Sequence, residues 1–337
     1  MRISVHTSDR TSFKRCRQRW DFSSNLRMNM EPKSPVTPLF FGSNMHAALA
    51  DYYEPSTPRL PESAVNVFLA KTNKYLDQFD VIDEEKEIWV NDQIDLGTGM
   101  LGYYFSQCNN LDLMPDTDWQ VIWVEKQMEV AIPGMPGVSY TFTLDGLVQD
   151  KYGRYWILGH KTAAQLPETQ EWLVNDDQCG SYLWALTQLD PPIFAEGVIY
   201  NSLRKKVPLP LRRLQSGALS TAKNQDTTFA MALAQLRSEY GKVPRRYWEM
   251  LDHFKTKGET FIQRIPVRRN PQEIQILGES LRNEVLDMVN NPFIYRSPSR
   301  INCTGCPFLA PCIMKWEGSD YEWYLNSQYK RREHEWV

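Results

Sequence analysis

The sequence lacks several features that would quickly assign it to a class of proteins. No apolar run reaches the roughly 18 to 20 residues that a membrane-spanning helix needs. The N-terminal segment contains no apolar core of a secretory signal peptide. There is no GxxxxGK[ST] sequence, no internal repeat and no long low-complexity segment. We therefore expect a globular cytoplasmic protein without an ATP-driven motor of its own.

An excess of basic charge is also absent, since the formal net charge at pH 7 is −3. This balance does not exclude nucleic-acid binding, because a protein with an acidic metal site can still bind nucleic acid through a local basic groove. Basic residues do cluster at 10–19, 204–213 and 330–332. Each cluster is either part of such a groove or ordinary solvated surface.

Cysteines are few, and in a cytosolic chain six of them do not indicate a disulfide framework. Cys303, Cys306 and Cys312 form a C-x₂-C-x₅-C pattern, and Cys16 is the candidate for a fourth ligand. Four thiolates hold either a zinc ion or an iron–sulfur cluster, and the spacing alone does not choose between them. The two other cysteines are expected to be ordinary buried residues: Cys108 and Cys179.

The order of the predicted elements indicates a mixed α/β fold. WQVIWVEKQMEVAI, VSYTFTLDGLVQD and YWILGHKT read as three strands joined by the turns PGMPG and KYGR, which is a meander. A polar helix at about 170–189 and another strand at 193–202 follow. We divide the single domain 1–337 into a helical insertion at 51–115, a catalytic sheet and helix at 116–202, a helical and strand continuation at 203–300, a cysteine segment at 301–316 that is joined to Cys16, and a tail at 317–337.

Two residues of the predicted meander are candidates for catalysis. Asp145 lies on the second strand and Lys161 lies near the end of the third. Adjacent antiparallel strands can bring both side chains to one face, where a carboxylate binds Mg²⁺ or Mn²⁺ through oxygen. A lysine there can hold the nucleophile or neutralise developing charge. Ordinary surface positions are the alternative interpretation of this pair on its own.

Further polar residues flank this pair. Glu125 lies on the preceding strand, and His46 lies in GSNMH at the start of a predicted helix. Gln178 and Tyr182 form Q-x-x-x-Y on the following helix, where the i, i+4 spacing puts both on one face. The sequence therefore offers a set of polar side chains around the pair of candidates.

With these residues in this order, the sequence resembles the PD-(D/E)XK nuclease superfamily, in its RecB-like branch. The resemblance implies a restriction-endonuclease-like mixed sheet flanked by helices and a metal-dependent DNA exonuclease that acts on single-stranded ends in phage or bacterial recombination. It implies these roles: metal ligation by His46, Asp145 and the backbone carbonyl of His160; positioning of water by Lys161; phosphate contact or support of Lys161 by Gln178 and Tyr182; and help at the metal site or a structural role for Glu125.

The cysteine pattern resembles that of the iron–sulfur exonucleases, which include the CRISPR-associated four-cysteine exonuclease and the nuclease domain of AddB. Phages encode stand-alone enzymes of this shape. The resemblance implies a 4Fe–4S cluster that joins the two ends of the chain and is mainly structural. A zinc-stapled interaction protein is the alternative. The implied partners are single-stranded DNA ends and, in trans, a recombinase or a helicase.

The sequence departs from the family pattern at Gly159, where an Asp or Glu normally precedes the lysine by two positions. A glycine in the interior of a strand is also unusual. We consider three explanations: a deliberate replacement that inactivates the enzyme, a displaced acid, or a naturally inactive DNA-binding module. The candidates for a displaced acid are Asp176, Asp177 and Glu171.

Overall fold

A six-stranded mixed sheet forms the centre of the protein, whose computed structural model describes residues 3–33, 37–78, 84–166, 171–290 and 292–332. The strands of this sheet are β1 (Ile3–His6), β3 (Trp119–Ala131), β4 (Val138–Asp150), β5 (Tyr155–Ala163), β6 (Ala195–Arg204) and β7 (Ile262–Arg268). A separate pair consists of β2 (Met30–Pro32) and β8 (Tyr329–Arg331). The prediction of a mixed α/β fold with a central mixed sheet is confirmed.

The central strand, β4, has three partners. Along one edge it pairs antiparallel with β3. Along the other edge, residues 138–141 pair in parallel with β1, and residues 146–149 pair antiparallel with β5. Residues 142–145 lie between these two partners, so Asp145 is located where β4 and β5 separate. Beyond β5 the sheet continues with β6 in parallel and β7 antiparallel.

Helices cover both faces of this sheet. The helices of the described residues are α1 (Thr7–Arg15), α2 (Arg17–Ser23), α3 (Thr37–Tyr53), α4 (Pro61–Asn73), α5 (Glu84–Gln107), α6 (Glu171–Val174), α7 (Asp177–Thr187), α8 (Phe229–Tyr240), α9 (Trp248–Lys257), α10 (Pro271–Val289), α11 (Arg300–Cys303), α12 (Leu309–Glu317) and α13 (Tyr321–Gln328). None of the helices in the described part of the chain combines the length and apolar character that crossing a bilayer would need.

Two apolar cores hold these layers together. On one face, α1, α2, α7 and α10 pack on the sheet around Trp20, Tyr140 and Leu281. On the other face, α3, α4 and α5 pack around Met45, Phe68 and Trp156. The polar helix predicted at about 170–189 corresponds mainly to α7. Most side chains of α7 are buried, because this helix lies between the sheet and α10.

The two ends of the chain form a separate small core. Phe22 of α2 stacks on Phe308, which in turn stacks on Tyr329 at the start of β8. The pairing of β2 with β8 adds backbone hydrogen bonds between segments that are about 300 positions apart. Residues 333–337 of the predicted tail lie outside the described residues.

Candidate active site

A histidine and two carboxylates from three different elements meet at the point where β4 and β5 separate. His46 of α3 has its Nδ1 atom 3.5 Å from Oδ1 of Asp145 and 4.0 Å from Oε1 of Glu125. One ligand atom from each residue lies within 4.8 Å of the other two, and no other such group occurs among the described residues. Carboxylate oxygens are the donors that Mg²⁺ and Mn²⁺ prefer, and imidazole also binds divalent metals. We call these three residues the metal-ligand group.

The charges of the metal-ligand group shift the pKa values of its members. Burial lowers the pKa of His46, but the hydrogen bond and negative charge of Asp145 raise it above its ordinary value overall. Burial alone would raise the pKa of Asp145, yet the hydrogen bond and charge of His46 lower it. Burial and the neighbouring charge of Asp145 raise the pKa of Glu125. A divalent cation would relieve the repulsion between these two carboxylates.

The backbone at Glu125 has an unusual conformation for a residue inside a strand. Its φ is 41°, in the left-handed region that residues with a β-carbon rarely adopt. Its neighbours keep the regular pairing, because Val124 pairs with Gly146 and Lys126 pairs with Leu144. Glu125 therefore lies beside Asp145 across the ladder. Such backbone strain costs on the order of 1–3 kcal/mol and is concentrated at functional sites.

Lys161 follows on β5 and is connected to α7. Its Nζ atom donates to Oε1 of Gln178 at 3.3 Å, and Nε2 of Gln178 donates to the hydroxyl of Tyr182 at 2.9 Å. Burial lowers the pKa of Lys161, but the neighbouring Cys179, Asp176 and Asp145 raise it above its ordinary value overall. The Q-x-x-x-Y residues thus lie on one helical face and orient the ammonium group.

His160 contributes to the site through its backbone. Its N–H group donates to Oδ2 of Asp145 at 2.7 Å, which fixes that carboxylate. The imidazole is buried against Tyr53, and burial lowers its pKa to about 3. The side chain is therefore neutral and is not part of the metal-ligand group. Ligation by the His160 carbonyl remains a prediction.

A buried polar network behind the site was not predicted from the sequence. The guanidinium of Arg264 contacts Asp116 at 2.6 Å, and its Nε atom donates to Oδ1 of Asn201 at 3.0 Å. The amide of Asn201 donates to Tyr104 at 3.0 Å and lies 2.9 Å from Nδ1 of His160. Because the Asn201 oxygen accepts from arginine, its NH₂ group faces His160, and the imidazole proton lies on Nε2. The alternation of β7 gives no signal for this role, because Arg264 shares its face of the strand with Arg268, while Ile265 and Val267 are on the other face.

The structure leaves room for a β-carbon at position 159. A β-carbon on Gly159 would meet Sγ of Cys179 and Cγ1 of Val198, both at 3.7 Å, which is ordinary contact. The backbone of β5 and β6 remains regularly paired at this point, as Gly159 pairs with Tyr200. The glycine is therefore not required by close packing of the strand.

The candidates for a displaced acid lie outside the metal-ligand group where they are described. Asp176 is the N-cap of α7 and accepts the backbone N–H groups of the first turn. Asp177 forms ion pairs with Arg10 and Lys14. The side chain of Glu171 lies outside the described residues. Glu125 is instead the second carboxylate beside Asp145.

The four cysteines predicted to act together line one cavity of about 180 Å³, formed with two arginines, Arg19 and Arg296. Burial raises the pKa of Cys312, although Arg296 acts in the opposite direction. Four thiolates around one zinc ion would lie about 3.8 Å apart, given a Zn–S bond of about 2.3 Å. Among the described residues, no three of these sulfur atoms all lie within 4.8 Å of one another. Cys108 and Cys179 are buried elsewhere, as expected.

Comparison with known proteins agrees with this geometry. No curated protein matches the chain. The solved structure titled "Crystal structure of SSO0001" is 12% identical, with 82% of this chain and 94% of that chain covered and a TM-score of 0.30, and a likeness this low carries no argument. A model of the PD-(D/E)XK nuclease superfamily matches residues 7–313, a range that includes the metal-ligand group and all four clustered cysteines. The chain therefore belongs to the PD-(D/E)XK nuclease superfamily.

Proposed function

We propose that the chain is a metal-dependent DNA exonuclease of the RecB-like, iron–sulfur type. We propose that it acts in the cytoplasm on single-stranded ends, in phage or bacterial recombination, with a recombinase or helicase in trans. The observation that carries the nuclease proposal is the metal-ligand group, which lies near Lys161 where β4 and β5 separate. Membership of the superfamily supports the same conclusion.

The side chains of this site have complementary tasks. His46, Glu125 and Asp145 would hold a divalent ion. Such an ion lowers the pKa of water and stabilises charge on the phosphate. The backbone N–H of His160 holds the Asp145 carboxylate in place. Lys161, oriented by Gln178, supplies a positive charge next to the scissile phosphate.

Glu125 would replace the acid that is missing at position 159. Both positions are neighbours of Asp145, since β3 and β5 flank β4 on opposite edges. The strained backbone of Glu125 supports a role for its carboxylate, because residues held in such conformations are concentrated at functional sites. The chain would then be active as it stands.

We further propose that Cys16, Cys303, Cys306 and Cys312 hold a 4Fe–4S cluster. Support comes from the cavity that these four cysteines line together, since a 4Fe–4S cluster is held by four thiolates. Hydrolysis of a phosphodiester needs no electron transfer, so the cluster would join the chain ends.

The test is cleavage of an end-labelled single-stranded oligonucleotide with Mn²⁺, after anaerobic purification. The parent chain should release nucleotides from an end, and Asp145→Ala and Lys161→Ala should each lower the rate by at least about a hundredfold, as loss of major catalytic groups does. Titration of Mn²⁺ followed by electron paramagnetic resonance gives a second readout, in which Asp145→Ala loses binding and Lys161→Ala retains it. Unchanged cleavage in both variants would contradict the proposal.

A catalytically degenerate DNA-binding module is the second candidate, and Gly159 favours it. That function predicts salt-sensitive DNA binding and no cleavage with any divalent metal. The Gly159→Glu variant separates the cases when it is assayed beside the parent. Cleavage by the parent favours the role of Glu125, cleavage by the variant alone indicates a disabled nuclease, and binding without cleavage by either indicates the binding module.

A further inference from the structure

A groove of about 720 Å³ runs between the N-terminal helices and the last strand. Its walls come from α1, α2, β2, the first half of β4, α7 and β8, and from residues 307–308 of the cysteine segment. We propose that this groove binds the sugar-phosphate backbone of single-stranded DNA and leads it to the metal-ligand group. The inference rests on the proposed nuclease function, because it names the path of that enzyme's substrate.

The charge of the groove is the first reason. Four basic side chains line it, with one carboxylate among them: Arg19, Lys33, Lys330, Arg332 and Glu31. Glu31 is shared, since Lys330 approaches it to 3.5 Å and Arg332 to 3.4 Å. Arg19 has no carboxylate partner among the described residues. In a chain with a net charge of −3, this groove is a local concentration of positive charge that attracts a polyanion.

Hydroxyl groups are the second reason. Seven serine and threonine side chains also line the groove: Thr7, Ser8, Thr11, Ser12, Ser23, Thr141 and Thr143. Of these, Ser8, Ser12 and Thr143 make no side-chain hydrogen bond to the rest of the described chain. Hydroxyl and ammonium donors at a concave surface are the groups that proteins use to contact phosphate oxygens.

The end of the groove is the third reason. Gln178 and Tyr182 line it and also form the hydrogen-bond chain that reaches Lys161. Thr143 lies on β4 two positions before Asp145. Single-stranded DNA that is bound along the groove would thus bring its phosphates to the metal-ligand group. Phe40 of α3 offers an aromatic surface on which a base can stack.

The other basic clusters are largely occupied by ion pairs. Arg10 of α1 is buried against Glu284 and Asp177, so it joins helices rather than facing solvent. In the cluster at 204–213, Arg204 and Lys206 both pair with Asp226. Arg213 of the same cluster pairs with Glu239. Apart from Arg19, which lines the groove, the sequence clusters at 10–19 and 204–213 are therefore weaker candidates for the DNA path.

The experiment measures binding of a fluorescein-labelled oligo-dT to the full chain by fluorescence anisotropy, in EDTA and over a series of salt concentrations. The groove variant combines Lys33→Gln, Lys330→Gln and Arg332→Gln. The control combines Arg204→Gln, Lys206→Gln and Arg213→Gln, which removes the same number of charges. The groove variant should bind at least tenfold more weakly at low salt. Its salt slope should fall by about 2, which is roughly 0.7 for each lost phosphate contact on single strands.

A second pair of variants adds one negative charge at matched positions. Ser8→Glu lies in the first turn of α1 inside the groove, and Ser63→Glu lies in the first turn of α4 outside it. Both changes suit a helix N-terminus, so neither should unfold the protein. Ser8→Glu should weaken binding at least fivefold, whereas Ser63→Glu should bind as the parent does.

Equal weakening by the groove and control variants, or parent-like binding by the groove variant, would overturn the proposal. The outcome is separable from that of the nuclease proposal. If the parent cleaves DNA and the groove variant binds and cleaves as well, the nuclease stands and the groove fails. If the groove variant loses binding and no divalent metal supports cleavage, the groove stands and the nuclease fails.

Discussion

At the residue scale, Glu125 allows stability and function to be separated. Its strained backbone should lower the stability of the fold, whereas its carboxylate is proposed to bind the metal. Replacement by glycine should relieve the strained φ of 41° and remove a ligand. We expect Glu125→Gly to leave the free energy of unfolding unchanged or to raise it by about 1 kcal/mol. We also expect Mn²⁺ binding to be lost. Urea unfolding and Mn²⁺ titration measure the two effects.

Lys126→Gly is the matched control for this prediction. Lys126 is the next residue of β3 and keeps the regular pairing. Glycine at an ordinary strand position should lower the free energy of unfolding by roughly 0.5–1 kcal/mol and leave Mn²⁺ binding intact. A larger loss of stability in Glu125→Gly than in Lys126→Gly would show that the strain interpretation is wrong.

A second prediction at this scale concerns the exchange of carboxylates around Asp145. Glu125→Gln should weaken Mn²⁺ binding at least tenfold, because the charge of one ligand is lost. The double variant Glu125→Gln with Gly159→Glu should recover much of that affinity, since the β-carbon at 159 meets only ordinary contacts. Calorimetric titration with Mn²⁺ measures both constants. The control is Glu125→Gln with Gly159→Gln, and recovery there would contradict a role for the added charge.

The sequence was sufficient to name His46, Asp145 and Lys161 as candidates, because the order of the motif residues can be read without knowing any distance in the fold. The sequence did not predict the left-handed φ of Glu125, since no residue pattern around a glutamate in a strand indicates such a conformation. The buried pair of Arg264 and Asp116 was also missed. Its members are 148 positions apart in sequence, and no local pattern connects them.

At the scale of elements, the turn between β4 and β5 depends on one carboxylate. Asp150 accepts hydrogen bonds from the backbone N–H groups of Tyr152 and Arg154, from the guanidinium of Arg154, and from the indole of Trp156. Burial opposes ionisation of Asp150, yet these hydrogen bonds lower its pKa to about 2. We expect Asp150→Asn to lower the free energy of unfolding by about 1–3 kcal/mol at pH 7.

The pH dependence of this effect has a definite sign. The folded pKa of Asp150 lies below the ordinary value of about 3.9, so its contribution is complete above pH ~4 and is lost as the pH falls towards 2. The difference in urea midpoint between the parent and Asp150→Asn should therefore shrink on acidification. The control is the exposed Asp112→Asn, which should barely change the urea midpoint at pH 7. A difference that grows in acid would refute this account.

Elements with a clear pattern of their own were predicted, and elements defined by distant partners were not. The alternation of β3, β4 and β5 predicted a meander, which the register of the sheet confirms. β1 has only four residues and gains its place by pairing with β4 about 135 positions later. α3 begins at Thr37, so His46 lies in mid-helix instead of near its start. The residues just before His46 in the sequence PLFFGSNMH do not show the apolar periodicity of about 3.6 residues that predicts a helix.

At the scale of the whole molecule, the chain ends are joined at one place by three kinds of contact. β2 pairs with β8, Phe308 packs between Phe22 and Tyr329, and the hydroxyl of Tyr329 donates to the carbonyl of Pro307 at 2.5 Å. The four-cysteine cavity lies next to this core and shares Phe308 with the groove. Loss of the cysteine site should therefore disturb both the closure of the chain and the wall of the groove.

Cys306→Ala tests this coupling, with Cys108→Ala as the control because Cys108 is buried in another core. After anaerobic purification the parent should contain iron and show broad visible absorbance, which a zinc protein lacks. Cys306→Ala should lose the iron and the absorbance, unfold at a lower temperature and bind oligo-dT more weakly. Cys108→Ala should keep the iron, the absorbance and the DNA affinity, even though removal of a buried side chain lowers its stability.

A colourless parent that contains zinc would refute the cluster. Loss of iron with parent-like DNA binding would show that the groove does not depend on the cluster, because the wall formed by Pro307 and Phe308 would keep its structure without iron.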